Sequence, residues 1–198
     1  RRETTRRERL GAITNILSIR FSGFDPDRLL TWLDRRIGWL FSTPTTIVAL
    51  LIVLVAGLLV TVQFGTFYQR LPAFDEFFAM ENWFWLAVAL AGTKVLHEFG
   101  HGLVCKRLGG ECHEMGVMFL VLTPCLYVNV SDSWMLPNKW HRAAIGAAGM
   151  YVEVVLASLC ALLWWFSEPG LLNYLCLNVM FVSSVSTILF NANPLLRY

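Results

Sequence analysis

Three runs of this chain, roughly 45–67, 83–104 and 143–166, are each apolar over about 20 residues, and a fourth, 171–190, just qualifies. Segments of that length match the hydrocarbon core of a bilayer, so the sequence predicts an all-α membrane protein with about four transmembrane helices. Composition agrees. Of 198 residues 56% are hydrophobic and only 15% are charged, where soluble domains carry about 25% charged residues. Mean hydropathy is +0.55. The first run is too long for the apolar core of a signal peptide and lacks a small-residue cleavage pattern. A net charge of +2 offers nucleic acid no electrostatic footprint, so membrane lipid is the expected partner and nucleic acid is not.

Charge orients the spans. Alternating them places fourteen of the sixteen Lys and Arg residues on the amino-terminal side, Arg70 opposite and Lys94 within the membrane. By the positive-inside rule the amino terminus is cytoplasmic, which fits a bacterial inner membrane. Five cysteines, at 105, 112, 125, 160 and 176, show no CxxC spacing and read as reduced packing residues. A first residue that is not methionine and the abrupt end at "NPLLRY" predict a piece of a longer chain, cut short at its C-terminal end.

Two segments do not span. In "FDPDRLLTWLDRRIGWLF", Asp25 is a candidate helix cap and Pro26 the first helical residue. Leu30, Leu33, Ile37 and Phe41 follow at helical spacing, so the helix lies on the membrane surface or packs on the protein's own cytosolic face. Residues 1–43 are therefore set apart as a basic cytoplasmic segment, and 44–198 as the membrane core. The apolar stretch 116–130 is divided by Pro124, and its Val, Phe and Tyr content favours strands with Thr123-Pro124 as the turn. Non-helical backbone at membrane depth persists only beside protein or a water-filled cavity. The expectation is a re-entrant β-hairpin between the second and third spans, entering from the cytoplasmic side.

The chemistry sits in the second span, in "KVLHEFGHGLV". His97 and His101 are four residues apart and share one helix face, a spacing from which two imidazoles reach one zinc ion while Glu98 holds the attacking water. Chance would supply about 0.004 such matches in a chain of this composition. An ionisable residue inside a span is a functional marker by default; the competing reading is a polar cluster that packs the bundle interior. Spacing leaves the third ligand open. Arg107 stands where a metzincin would have histidine, and Glu153 in the third span is either a ligand or a partner for Lys94. His113 and His141 lie near the cytoplasmic interface and read as solvated. The fourth span carries Asn178, Ser183, Ser184, Ser186 and Thr187, then breaks at Asn193-Pro194. The small-residue run "AAIGAAGM" permits close helix approach.

"HEFGH" in one span and "FNANPLL" after another resemble the site-2 protease family of intramembrane zinc metalloproteases, and in particular its bacterial subgroup of peptide zinc metalloproteases. The similarity extends through "FDPDRLL", "YVNVSDSWMLPNKWHR" and "AAGMYVEVV". It implies zinc as cofactor, His97 and His101 as ligands, Glu98 as catalytic base, and a third ligand, an aspartate, just beyond Tyr198. Where the family often has Gly-Pro and then asparagine, this chain has Gly149, Met150 and Glu153, so Glu153 and Asn193 are the candidates for polar or oxyanion support. The implied reaction is hydrolysis of membrane-associated or transmembrane peptides by zinc-activated water. The strand containing Gly116, Val117, Met118 and Phe119 is a candidate for pairing with an extended substrate. Two other classes stay open: a non-catalytic protease-like domain that binds or helps export a peptide, and an ion transporter using Lys94, Glu98 and Glu153. The transporter lacks inverted repeats. Nothing in the sequence sets the oligomeric state.

Overall fold

The computed structural model describes residues 18–120 and 123–187. In chain order the elements are β1 (Ser18–Phe24), α1 (Asp27–Ile37), α2 (Thr43–Val62), α3 (Phe64–Arg70), α4 (Phe74–Phe77), α5 (Met80–Arg107), β2 (Met115–Leu120), β3 (Thr123–Val128), α6 (Lys139–Phe166) and α7 (Leu171–Ser186). The molecule is mostly helical, but it is not all-α: a small antiparallel sheet runs β1-β2-β3.

Among the described residues two helices, α2 and α6, are long and apolar enough to cross a membrane. Pro44 in the first turn of α2 supplies a preset φ where no amide partner is needed. Only 11% of its apolar window is buried in the protein, and Ile47, Leu50, Leu54 and Leu58 all face outward. A water-soluble fold would hide that surface; lipid accepts it. Helix α5 has 28 residues, about 42 Å at ~1.5 Å per residue, but Lys94 and Glu98 interrupt its apolar run. The described part of α7 is 16 residues; the rest of the predicted span, to about 190, and the break predicted at Asn193-Pro194 lie outside the described residues. Of the four expected spans, α2 and α6 meet the length and composition of a membrane span among the described residues.

Helix α6 is the hub, packed against α2, α5 and α7. One apolar cluster joins Leu30 of α1 to Leu103, Val104 and Cys105 of α5 and to Ile145 and Ala148 of α6. A second, at the other end, joins Phe77, Cys160, Trp164, Cys176 and Leu177. The four cysteines in these clusters are free and buried, as packing residues should be.

Helix α1 follows its sequence signals to within one residue. The Asp25 carboxylate accepts the Asp27 amide at 2.9 Å, and the helix begins at Asp27, directly after Pro26. It packs on the protein: Leu30 is fully buried, and Lys106 at the end of α5 donates to Asp27 at 2.6 Å. Both α1 and β1, from the segment set apart at 1–43, therefore contact the remainder of the chain.

The hairpin forms, but Thr123-Pro124 is not its turn. Both residues belong to β3, opposite Leu120 and Phe119, with the connection at 121–122 outside the described residues. Asn129 N–H bonds Glu114 C=O at 2.8 Å, and strict alternation from that pair makes Phe119↔Pro124 a non-hydrogen-bonded pair. The missing N–H of proline thus faces the outer edge, where an edge strand tolerates it.

Candidate metal centre

Helix α5 places His97 and His101 one turn apart, and their Nε2 atoms approach to 3.0 Å. Each ring is held from its other side. His101 Nδ1 lies 2.6 Å from the Ile145 carbonyl; a carbonyl only accepts, so Nδ1 carries the proton and Nε2 presents its lone pair. His97 Nδ1 lies 3.0 Å from Glu153 Oε1, near enough for charge pairing though not aligned as a hydrogen bond.

Gly149 of α6 faces the two rings. A Cβ built there would fall 2.5 Å from His101 Nε2 and collide with His97 Nε2 as well. The small-residue run at the start of α6 thus does more than pack helices, because at this position any side chain would occupy the space in front of both nitrogens.

Glu98 points to the sheet, where its Oε2 accepts the Val128 amide of β3 at 2.9 Å. That contact identifies β3 as the strand beside α5, with its outer edge turned to the helix. A cavity of about 390 Å³ lies against Glu98, lined also by Phe21 of β1, Val95 and Phe99 of α5, Gly116 and Val117 of β2, and Leu126 of β3. The candidate substrate residues Gly116, Val117, Met118 and Phe119 lie in β2, the central strand. They pair with Ser22, Phe21, Arg20 and Ile19 on one side and with Tyr127, Leu126, Cys125 and Pro124 on the other.

Glu153 is fully buried beneath His97. Its Oε1 meets Lys94 Nζ at 2.8 Å and the Ser186 hydroxyl at 3.1 Å, and its Oε2 accepts from Thr187 Oγ1 at 2.8 Å. Lys94 also donates to Ser186. Of the roles the sequence leaves open to Glu153, the contact with Lys94 is the one these distances describe. His113 is exposed, bonded to Glu111 at 3.0 Å and Asp25 at 3.1 Å. Asn193 lies outside the described residues.

Sequence reasoning missed three partners: the Ile145 carbonyl, Ser186 and Thr187. The last two were legible only as part of a polar stripe on an apolar helix. A backbone carbonyl as the anchor of His101 leaves no sequence signal, since any residue type supplies one.

The residues fit a metal. A 3.0 Å separation is under twice the usual zinc–nitrogen distance of about 2.0–2.1 Å, so one ion can touch both rings; His101 is backed by a hydrogen bond, as metal-ligating histidines usually are, and His97 has the Glu153 carboxylate 3.0 Å behind it. Among the described residues no group of three or more His, Cys, Asp and Glu side chains gathers around one point.

A helical bundle with an apolar exterior and a paired-histidine centre defines the class, a membrane metallopeptidase. The family model for Peptidase family M50 matches residues 85–196, and the chain belongs to that family, the site-2 proteases. Membership implies intramembrane metalloprotease activity in general, with zinc as the family's general cofactor. No curated protein and no solved structure matches the chain.

Proposed function

We propose that this chain is the membrane core of a zinc metalloprotease that hydrolyses peptide bonds of membrane-associated or transmembrane peptides. The carrying observation is the convergence of His97 Nε2 and His101 Nε2 on one point in front of Gly149, with Glu98 on the same helix. His97 and His101 would hold zinc, together with a third ligand beyond Tyr198. Zinc, when bound, supplies a Lewis acid that makes water nucleophilic near neutral pH. Glu98 takes the water proton and returns it to the leaving nitrogen. While it waits, the Val128 amide holds its carboxylate at the wall of the adjoining cavity.

An extended substrate can pair with a strand edge. Gly116 to Phe119 of β2 become available only if β1 leaves, whereas the outer edge of β3 already faces α5. Asn193 is the proposed polar support for the reacting carbonyl.

The same proposal sets four spans, formed by α2, α5, α6 and a continued α7, with the hairpin re-entrant beside α5. The amino terminus is cytoplasmic in a bacterial inner membrane. Support comes from charge placement, since Lys106 and Arg107 end α5, Lys139 and Arg142 begin α6, and α1 with Arg28, Arg35 and Arg36 docks at that same end.

The test is the full-length protein purified in detergent beside Glu98→Gln, assayed for bound zinc and for cleavage of transmembrane peptides. Stoichiometric zinc in both, with cleavage lowered at least about 100-fold in the variant, is the expected result. Zinc without cleavage in either would favour a peptide-binding or export role. No zinc in the wild type would overturn the proposal.

A further inference from the structure

Behind the paired histidines lies a buried charged cluster that no step of peptide hydrolysis uses directly. Lys94 and His97 come from α5, Glu153 from α6, and Ser186 and Thr187 from α7. Glu153 is fully buried, and both of its oxygens are engaged, Oε1 by Lys94, Ser186 and His97 and Oε2 by Thr187. A carboxylate so occupied does not swing into the space in front of Gly149, where the two Nε2 atoms converge. It acts on the rear nitrogen of His97.

The two rings are therefore backed differently. His101 rests on a neutral backbone carbonyl, whereas His97 faces an anion. An anionic backer selects the tautomer protonated at Nδ1, leaves Nε2 bare, and makes the ring a stronger donor to a cation. Lys94 pairs with the carboxylate at 2.8 Å and so fixes where it sits behind His97.

We propose that Glu153 is the positioning residue for His97 and that Lys94, through its ion pair with Glu153, holds that carboxylate in place. The inference rests on the zinc-protease reading and extends it to residues outside the ligand set. It gives Lys94, the least expected residue of the second span, a reason to be there: it neutralises the backer rather than touching substrate. It also ties the metal centre to the end of α7, because Ser186 and Thr187 hold the same carboxylate.

A purely structural ion pair between helices would look similar in the static structure, so the test separates the two. The full-length protein is compared with Glu153→Gln, Lys94→Met and the double variant Lys94→Met/Glu153→Gln. The readouts are zinc dissociation constant by chelator competition, melting temperature of the metal-free protein, and the tautomer of His97 by ring-nitrogen NMR. Glu153→Gln should weaken zinc binding about 10–100-fold and release His97 from a single tautomer. The double variant removes both charges of the pair, so its metal-free melting temperature should recover relative to either single variant while zinc affinity stays low. Recovery of zinc affinity together with melting temperature, or no loss of zinc affinity in Glu153→Gln, would overturn the inference. The tautomer readout needs no metal. If the wild type binds no zinc yet His97 sits in the Nδ1–H form only when Glu153 is present, the protease reading fails and the positioning role stands. A wild-type His97 protonated at Nε2 sinks the positioning role whatever zinc does.

Discussion

At the scale of single residues the centre depends on one missing side chain. Gly149 leaves open the space that a Cβ would take 2.5 Å from His101 Nε2, so Gly149→Ala should push both rings off their shared point. Overpacking of this kind destabilises by about 1–3 kcal/mol, and the expected signature is a lower melting temperature together with loss of bound zinc by elemental analysis. A surface residue gives the pH prediction. Hydrogen bonds to Glu111 and then Asp25 raise the His113 imidazole from its ordinary 6.5 to about 9. The sign follows from the raised value: the stabilisation is fully present below pH 6.5 and is lost as pH rises through about 9. An NMR titration of His113 should therefore give a midpoint well above 6.5, and Glu111→Gln should bring it down. A midpoint that ignores the substitution would mean that the contact is not maintained in solution. The Asp27 carboxyl is shifted the opposite way, lowered chiefly by its bond to Lys106, so the tie between α1 and α5 persists until pH falls below the ordinary carboxylate range.

Among the elements, β1 is the one that changes how the site is reached. It pairs along β2 from Ser18 to Phe24 and, with Phe21, Gly23 and Phe24, walls the cavity at Glu98. The pairing depends on Gly116, where a Cβ would lie 2.9 Å from the Gly23 nitrogen and collide with the Phe21 carbonyl. Gly116→Val should open this pairing. Hydrogen exchange should then speed up at least about 10-fold for β1 amides, as local opening becomes easier, while β2–β3 amides keep their protection. Unchanged exchange in β1 would show that the strand tolerates the extra volume. Legibility differed by element for physical reasons. Helices α2 and α6 were visible because an uninterrupted apolar run needs no tertiary context. The hairpin was visible from composition, but its turn was misplaced because proline's missing N–H is harmless on an outward edge, which only the register reveals. Strand β1 was invisible, since its pairing with β2 spans about a hundred residues of sequence and leaves no local periodicity. In the centre, HEFGH could be read directly; the contact of Lys94 with Glu153 was one of several readings in the sequence, and singling it out required knowing that α6 faces α5 there.

For the whole molecule the governing fact is polarity from end to end. Lys106, Arg107, Lys139 and Arg142 cluster where α5 ends and α6 begins, joined by the arginines of α1. At the opposite end Arg70 stacks on Trp164 and Trp165 and donates to the Trp165 carbonyl at 2.9 Å. Between the two ends lies the exposed apolar flank of α2, a surface that lipid accepts. In the proposed orientation the α1 end faces the cytoplasm, as the positive-inside rule expects. Single cysteines test this directly, because the four native thiols in the apolar clusters are buried. In a background with Cys125→Ser, a cysteine at the exposed Trp140 should react with a membrane-impermeant thiol reagent only in inside-out vesicles, and one at the exposed Tyr68 only in intact cells stripped of their outer wall. The reversed pattern would turn the molecule over and place the Glu98 cavity toward the opposite compartment. Labelling of both positions from one side would mean that the bundle does not cross the bilayer between them. The substrate's side of entry follows from the same result, since β1, β3 and Glu98 all lie toward the end that α1 covers.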